Sequence, residues 1–244
     1  MKNKLLFLGF TILACLFASA EINPVEVNLL HPCSNLDKDQ SIPADTSQVI
    51  LVSTECSHDV QADLTLCEKK NSTWVSVKQF QAVVGKNGIA AKDAKIEGDM
   101  MTPSGVYPIG TAFGYHPLAK SQITGLKMDY RYISPTKDIN HKSIDKFVDD
   151  VTSSEYNSWV VGLTTANSFE EMRRQDDLYE YGLVLNYNMP ATLGKGSSIF
   201  MHIWRSAEKG TAGCVALAKT NLIQTMSWLN KDKNPMIKVV APQK

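Results

Sequence analysis

Excess charge of either sign is missing: 25 basic residues balance 25 acidic ones over 244 positions. That balance removes the electrostatic footprint by which nucleic-acid-binding proteins hold phosphate. Apolar runs are short. The run Leu5–Ala18 falls below the roughly 20 residues that cross a bilayer as a helix, and no other stretch looks membrane-spanning. Cysteine is scarce, five in all, and neither Cys-x-x-Cys nor His-x-x-x-His spacing occurs, which argues against a metal centre. Gly85-x-x-Gly88 lacks the Lys-Ser/Thr ending of a phosphate loop and reads as a turn. Internal repeats and low-complexity tracts are also missing. What remains is 43% hydrophobic, enough for a large core without metal or dense disulfides.

The N-terminus reads as an address. Lys2 and Lys4 precede the apolar run, and Ala18-Ser19-Ala20 offers a small-x-small cleavage site, so residues 1–20 are expected to be a signal peptide. The alternative is a lipoprotein anchored at Cys15, which follows Ile12-Leu13-Ala14. Export to the periplasm or cell envelope is the expectation. Cleavage leaves 23 basic against 25 acidic residues, a net charge of −2. Residues 21–47 read as an arm or linker, and 48–241 as one domain. An oxidising compartment favours one bridge among Cys33, Cys56 and Cys67, with Cys56–Cys67 preferred because a hairpin brings them near. Cys214 then stands apart as a reactive thiol.

The patterning is mainly β. Strands are expected over 49–52, 62–67, 74–77, 80–84 and 106–109, then over 183–185, 199–201 and 237–240, the last closing the sheet. Pro108 should push its strand toward an edge. Helical turns are expected over 143–148, from Asn167 or Ser168 to Leu178, and over 219–230, where Leu222, Ile223, Met226 and Leu229 recur at helical spacing. Arg173-Arg174 and Lys69-Lys70 read as solvated faces. Asn71-Ser72-Thr73 fits a glycosylation acceptor, a short match with little weight.

The chemistry concentrates late in the chain. His202 ends an apolar strand, and Cys214 follows 12 residues later after a polar connection. A strand-end imidazole and a loop thiol this close can fold back into contact. A thiolate is the reactive form, and a neighbouring imidazolium lowers a thiol's pKa. Gly213 lacks a Cβ and lets nearby amides turn toward a substrate oxygen as an oxyanion hole.

These residues resemble a known family. His202 with Thr211-Ala212-Gly213-Cys214-Val215 is similar to the His … Ser/Thr-x-Gly-Cys-hydrophobic motif of the L,D-transpeptidase catalytic domain (YkuD-type). Gly98-Asp99 through Thr102-Pro103 to Tyr107 resembles that family's Gly-Asp-x-x-Thr-Pro-x-Gly-x-Phe/Tyr segment. Phe147 to Asp150, Tyr156-Asn157, Gly196 to Trp204 and Thr211 to Ala216 resemble one branch of it. The resemblance spans about residues 48–241.

It implies a β-sandwich-like domain with a few peripheral helices that acts on peptidoglycan stem peptides without a cofactor. Cys214 would be the nucleophile and His202 the general base. The Ile203 carbonyl would orient the imidazole, and the amides of Gly213 and Cys214 would form the oxyanion hole. Many members carry Gly after the histidine and Arg or Asn two residues past the cysteine, where this chain has Ile203 and Ala216. Arg205 is the candidate to supply the missing charge, with Thr211 and Trp204 as further substrate contacts. Tyr115, Tyr130, Tyr132 and Tyr156 fall in the long insertion before the His202 strand and read either as the wall of a groove for a second stem peptide or as a tyrosine-rich core. An L,D-carboxypeptidase using water as acceptor, and a wall-binding module with an inert Cys214, are the competing readings.

Overall fold

The computed structural model describes residues 32–242. The expected signal segment, Cys15 and the start of the expected arm lie outside them. Val49 to Val52 and Ala62 to Cys67 alternate apolar side chains with turn residues between, and they form β1 (Gln48–Ser53) and β2 (Gln61–Lys70). β2 continues into β3 (Thr73–Val83), one strand where two were expected. The turn between them uses Asn71 and Ser72 at φ 48° and 66°, the left-handed pair that matches hairpin twist. That turn is a structural reason for Asn71-Ser72.

A short parallel pair follows, β4 (Ile89–Ala90) with β5 (Thr102–Pro103), then β6 (Gly105–Gly114) and β7 (Tyr130–Tyr132). β8 (Asp145–Val148), β9 (Trp159–Val161) and β10 (Phe169–Glu171) form a separate three-stranded sheet in the order β10-β8-β9. β11 (Tyr181–Leu185), β12 (Phe200–Ile203), β13 (Val215–Leu217), α1 (Lys219–Trp228) and β14 (Met236–Val240) complete the chain. The large sheet runs β11-β12-β13-β3-β2-β1-β14-β6-β7, and an added β11–β6 pairing closes it on itself. The fold is mainly β, as expected.

Pro108 does not mark an edge. β6 pairs with β14 over Gly105–Pro108 and with β11 from Ile109 on, so the missing N–H falls where the strand changes neighbours. β14 does close the sheet, parallel to β1 and antiparallel to β6. Ile50, Leu64, Leu183, Val215 and Leu217 fill the interior, and α1 caps it with Leu222 and Met226, all at 2% exposure or less.

Of the three expected helices, only α1 forms. Ile144, Phe147 and Val148 imitate a helical stripe, but β8 is buried on both faces, its polar members paired inside. Asp145 accepts from Arg131 Nε at 3.1 Å and Trp159 Nε1 at 3.0 Å, while Lys146 Nζ meets Asp138 at 2.8 Å. Asn167 does not cap a helix. Its backbone N–H and side-chain amide donate to Asp150 Oδ2 at 2.7 and 2.9 Å. Arg173 is not a solvated residue either, since it stacks over the Tyr115 ring at 4.1 Å and donates to two carbonyls.

The disulfide joins Cys33 to Cys67, not Cys56 to Cys67. Cys67 lies six residues up β2 from its start, about 20 Å at strand rise, whereas Cys56 sits in the turn before that strand. Cys33 and Leu36 instead pack with Val49, Trp74 and Met236 at the far end of the hairpin.

Candidate active site

A second cluster joins the small sheet to the closed one. Phe113, Phe147, Tyr179 and Phe200 meet edge to face, with Phe147 and Phe200 centroids 5.0 Å apart. Cys214 is buried among them. Beside this cluster opens a cleft of about 530 Å³. His202, Trp204, Arg205, Thr211, Gly213 and Cys214 all line it. These six residues, expected around the catalytic pair, therefore meet in one place, and Ile203 touches it through its carbonyl.

β12 and β13 run parallel with His202 opposite Ala216, which sets the imidazole beside the loop that ends at Cys214. His202 Nδ1 lies 2.7 Å from the Ile203 carbonyl. A carbonyl only accepts, so Nδ1 carries the proton and Nε2 is the free base. The imidazole also meets the Tyr179 ring edge-on at 5.3 Å. The Cys214 thiol donates to Ser198 O at 3.4 Å and accepts from the Phe200 amide at 3.3 Å. Thiol and imidazole share the cleft without a direct hydrogen bond in this state.

Burial sets their charges. The Cys214 thiol is pushed up to about 12 by desolvation, against a smaller lowering by the Phe200 amide. Desolvation brings His202 down to about 4, helped by Arg174 and Arg205 and opposed by the Ile203 carbonyl. Both are neutral near pH 7. Both shifts favour the neutral forms, so the resting site differs from the expected imidazolium–thiolate pair: burial works against both charges.

Thr211 is a brace. Its hydroxyl donates to the Cys214 carbonyl at 2.6 Å and accepts from the Gly213 amide at 3.0 Å. The Gly213 N–H, expected in an oxyanion hole, is thereby occupied. Gly213 itself is required: its φ is +142°, and a Cβ would stand 3.0 Å from Met101 O. Arg205 donates to Asp176 at 2.8 Å, and Asp176 also holds Arg174, so both guanidiniums are tied down at the rim. Asp176 is held down at about 2, chiefly by its hydrogen bonds from Arg174.

Sequence reasoning missed the scaffold. Thr102, wholly buried, donates to the Cys214 carbonyl at 3.2 Å and accepts from Gly85 N at 2.8 Å, bridging 112 residues. Asp99 gathers Lys95 Nζ at 2.6 Å and the amides of Ile96 and Met101, both at 2.9 Å, so the Gly-Asp-x-x-Thr-Pro segment is a folded staple behind the nucleophile loop. Asn157 does the same for the other wall. It donates to the carbonyls of Tyr187 and Asn188 and accepts from Ser198 N at 3.2 Å. Tyr156 binds Glu97 at 2.6 Å and Gly196 N at 3.0 Å. None of Tyr115, Tyr130, Tyr132 and Tyr156 lines the cleft; Tyr179 does. Among the described residues no cluster of His, Cys, Asp and Glu fits a metal ion, and no helix is long and apolar enough to cross a membrane.

The family profile of the L,D-transpeptidase catalytic domain (YkuD) matches residues 59–240. The chain belongs to that family. No curated protein matches. Among solved structures, Bd1075 of Bdellovibrio bacteriovorus is similar at 15% identity and a TM-score of 0.40, covering 80% of this chain. The chain spans about half that protein's length, 48%.

Proposed function

We propose that this protein is an exported peptidoglycan L,D-transpeptidase in which Cys214 forms a thioester with a stem peptide and passes it to an amine. The observation that carries the reading is the meeting, in one cleft, of the buried Cys214 thiol with an imidazole whose Nδ1 is fixed on Ile203 O. Substrate entry turns the thiol from Ser198 O toward His202 Nε2. Sγ attacks the carbonyl of the third stem residue as its proton passes to Nε2. The oxyanion falls to the Cys214 amide, since the Gly213 amide is held by Thr211. Collapse expels the terminal D-amino acid, whose amine takes the proton from His202. The acceptor amine then attacks the thioester as His202 takes its proton, and the C–S bond breaks as the Cys214 sulfur leaves and recovers that proton from His202, restoring both neutral groups.

A neutral resting pair suits this sequence, because charge develops only once a substrate covers the cleft. The Cys33–Cys67 disulfide supports export, since such bonds persist in oxidising compartments. Incubation with a tetrapeptide-stem disaccharide tests the proposal. A cross-linked dimer with released D-alanine is expected, together with an acyl adduct on Cys214 that Cys214→Ser lacks. Tripeptide alone, at high acceptor concentration and mildly alkaline pH, identifies a carboxypeptidase. Intact substrate and no adduct leave a binding module.

A further inference from the structure

A second cavity, of about 390 Å³, shares Arg174 with the cleft and holds neither Cys214 nor His202. Lys137, Lys142, Arg173 and Arg174 line it against two carboxylates, Glu171 and Asp176, which leaves a positive surplus. Glu171 is shared by Lys137 at 3.5 Å and Lys142 at 3.2 Å, and Asp176 binds Arg174 and Arg205, both at 2.8 Å. Arg173 pairs with no carboxylate among the described residues. Its Nη1 meets only the neutral carbonyls of Tyr115 and Ile133, both at 3.2 Å. A guanidinium is always charged, and this one faces the cavity without an anion.

The two lysines arrive on a built loop. Lys137 and Ser143 bridge as an antiparallel pair, the Asp138 amide donates to Lys142 O at 2.8 Å, and His141 takes a left-handed φ of 60°. The Asp138 carboxylate accepts from the amides of Asn140 and Lys142 at 2.8 and 3.0 Å and from buried Lys146 at 2.8 Å, so its charge is spent inward. Ile139 stands at the tip of this turn and is 81% exposed, more than any other large apolar side chain among the described residues. The Gly162 amide donates to Ile144 O at 2.7 Å, which sets the exposed Val161 and Leu163 beside the base of the same loop. Basic and bare apolar side chains side by side match the two levels of an anionic lipid surface, phosphate above and hydrocarbon beneath.

We propose that this loop and cavity dock the protein on an anionic phospholipid surface, with headgroup phosphates among Lys137, Lys142 and Arg173 and with Ile139 at the acyl boundary. A neutral membrane offers nothing to the surplus charge, and a soluble anion offers nothing to Ile139. The contact is peripheral and electrostatic, so it weakens as salt rises. Because Arg174 lines both the docking cavity and the cleft, docking holds the cleft close to the membrane face.

Lysine acetylation followed by peptide mass spectrometry reads the docking residue by residue. The full chain is labelled briefly alone, with phosphatidylcholine vesicles, with vesicles of equal parts phosphatidylglycerol and phosphatidylcholine, or with glycerol 3-phosphate. Lys231, 60% exposed and paired with Asp129 elsewhere in the fold, is the internal reference. Vesicles containing phosphatidylglycerol should slow Lys137 and Lys142 by about threefold or more relative to Lys231. High salt should restore both rates, and phosphatidylcholine alone should leave them unchanged. Because the readout is local, binding of the apolar run Leu5–Ala18 to either vesicle does not imitate it. Ile139→Ser, a change at an exposed position, should remove most of the protection. Equal labelling on the two kinds of vesicle overturns the proposal, and so does protection that persists unchanged in Ile139→Ser. Glycerol 3-phosphate protecting as well as the vesicles overturns it too, and makes the cavity a site for a free phosphate ester. No peptidoglycan enters the measurement, so failure of the transpeptidase reading leaves this result standing.

Discussion

At the residue scale, the site is a neutral acid beside a neutral base, and its reactivity should show that. A Cys–His ion pair gives fast alkylation that is flat from mildly acidic pH upward. With the thiol pushed up to about 12 and the imidazole down to about 4, folded Cys214 should alkylate slowly at pH 7, its rate climbing through the alkaline range without a plateau. Iodoacetamide kinetics followed by intact mass between pH 6 and 10 check this; a plateau below pH 8 would establish the ion pair instead. That His202 and Cys214 meet in one cleft was legible because they lie 12 residues apart, whereas the Ile203 carbonyl was expected only from the family resemblance. The Thr102 brace was not, since its target lies 112 residues away and only folding joins them. Replacing Thr102 by Val strands the Gly85 amide in the interior and leaves the Cys214 carbonyl to Thr211 alone. We expect a loss of about 1–3 kcal/mol in a urea melt, with acyl-adduct formation falling as well. Thr102→Ser keeps the hydroxyl and should recover both.

At the scale of elements, strands β1–β3, β11, β12 and β14 follow from their apolar patterning and α1 from a clear 3.6-residue period, while β13 was not expected because its three residues follow directly on the nucleophile loop. The two helices expected between them failed for one physical reason. Asp145 and Lys146 look like the polar face of a helix, yet both are buried and paired with Arg131 and Asp138, while Glu171 meets Lys137 and Lys142 from a neighbouring loop. Polar residues buried in pairs erase the alternation by which a strand is recognised. The disulfide was misassigned because hairpin proximity was judged without the segment preceding β1. That segment is fixed to the sheet by Cys33 and Leu36. Since the bridge closes a loop of 34 residues, Cys33→Ser with Cys67→Ser should cost about 3–4 kcal/mol on the chain-entropy account. The urea midpoint of the double variant measures it. Activity at low denaturant should persist, because the bridge lies at the end of the hairpin away from the cleft's lining residues.

At the scale of the whole molecule, the neutral pair at the site makes stability depend on pH from both sides. His202 titrates at its ordinary 6.5 when unfolded and at about 4 when folded. Between these values the unfolded chain binds the extra proton, so stability falls as pH drops through the window, by about 3 kcal/mol in all. Glu170, raised by burial, acts in the opposite direction there and blunts the acid limb. Cys214 works on the alkaline side. Its thiol ionises near 9 when unfolded and near 12 when folded, so the unfolded state sheds a proton first and stability falls as pH rises above 9. Tyr115, Tyr130 and Tyr187, raised by burial to about 12, join from pH 10 upward. The interval between pH 9 and 10 therefore belongs mainly to Cys214, at a slope of up to about 1.4 kcal/mol per pH unit. Urea melts at half-unit steps should give a plateau from about pH 6.5 to 9 with a decline on either side. His202→Gln should flatten the decline from pH 6.5 toward 4.5, and Cys214→Ser the decline from 9 to 10, each leaving the other limb in place. An unchanged acid limb in the histidine variant would mean that His202 is already protonated in the folded protein, and the neutral-pair mechanism would fall with it.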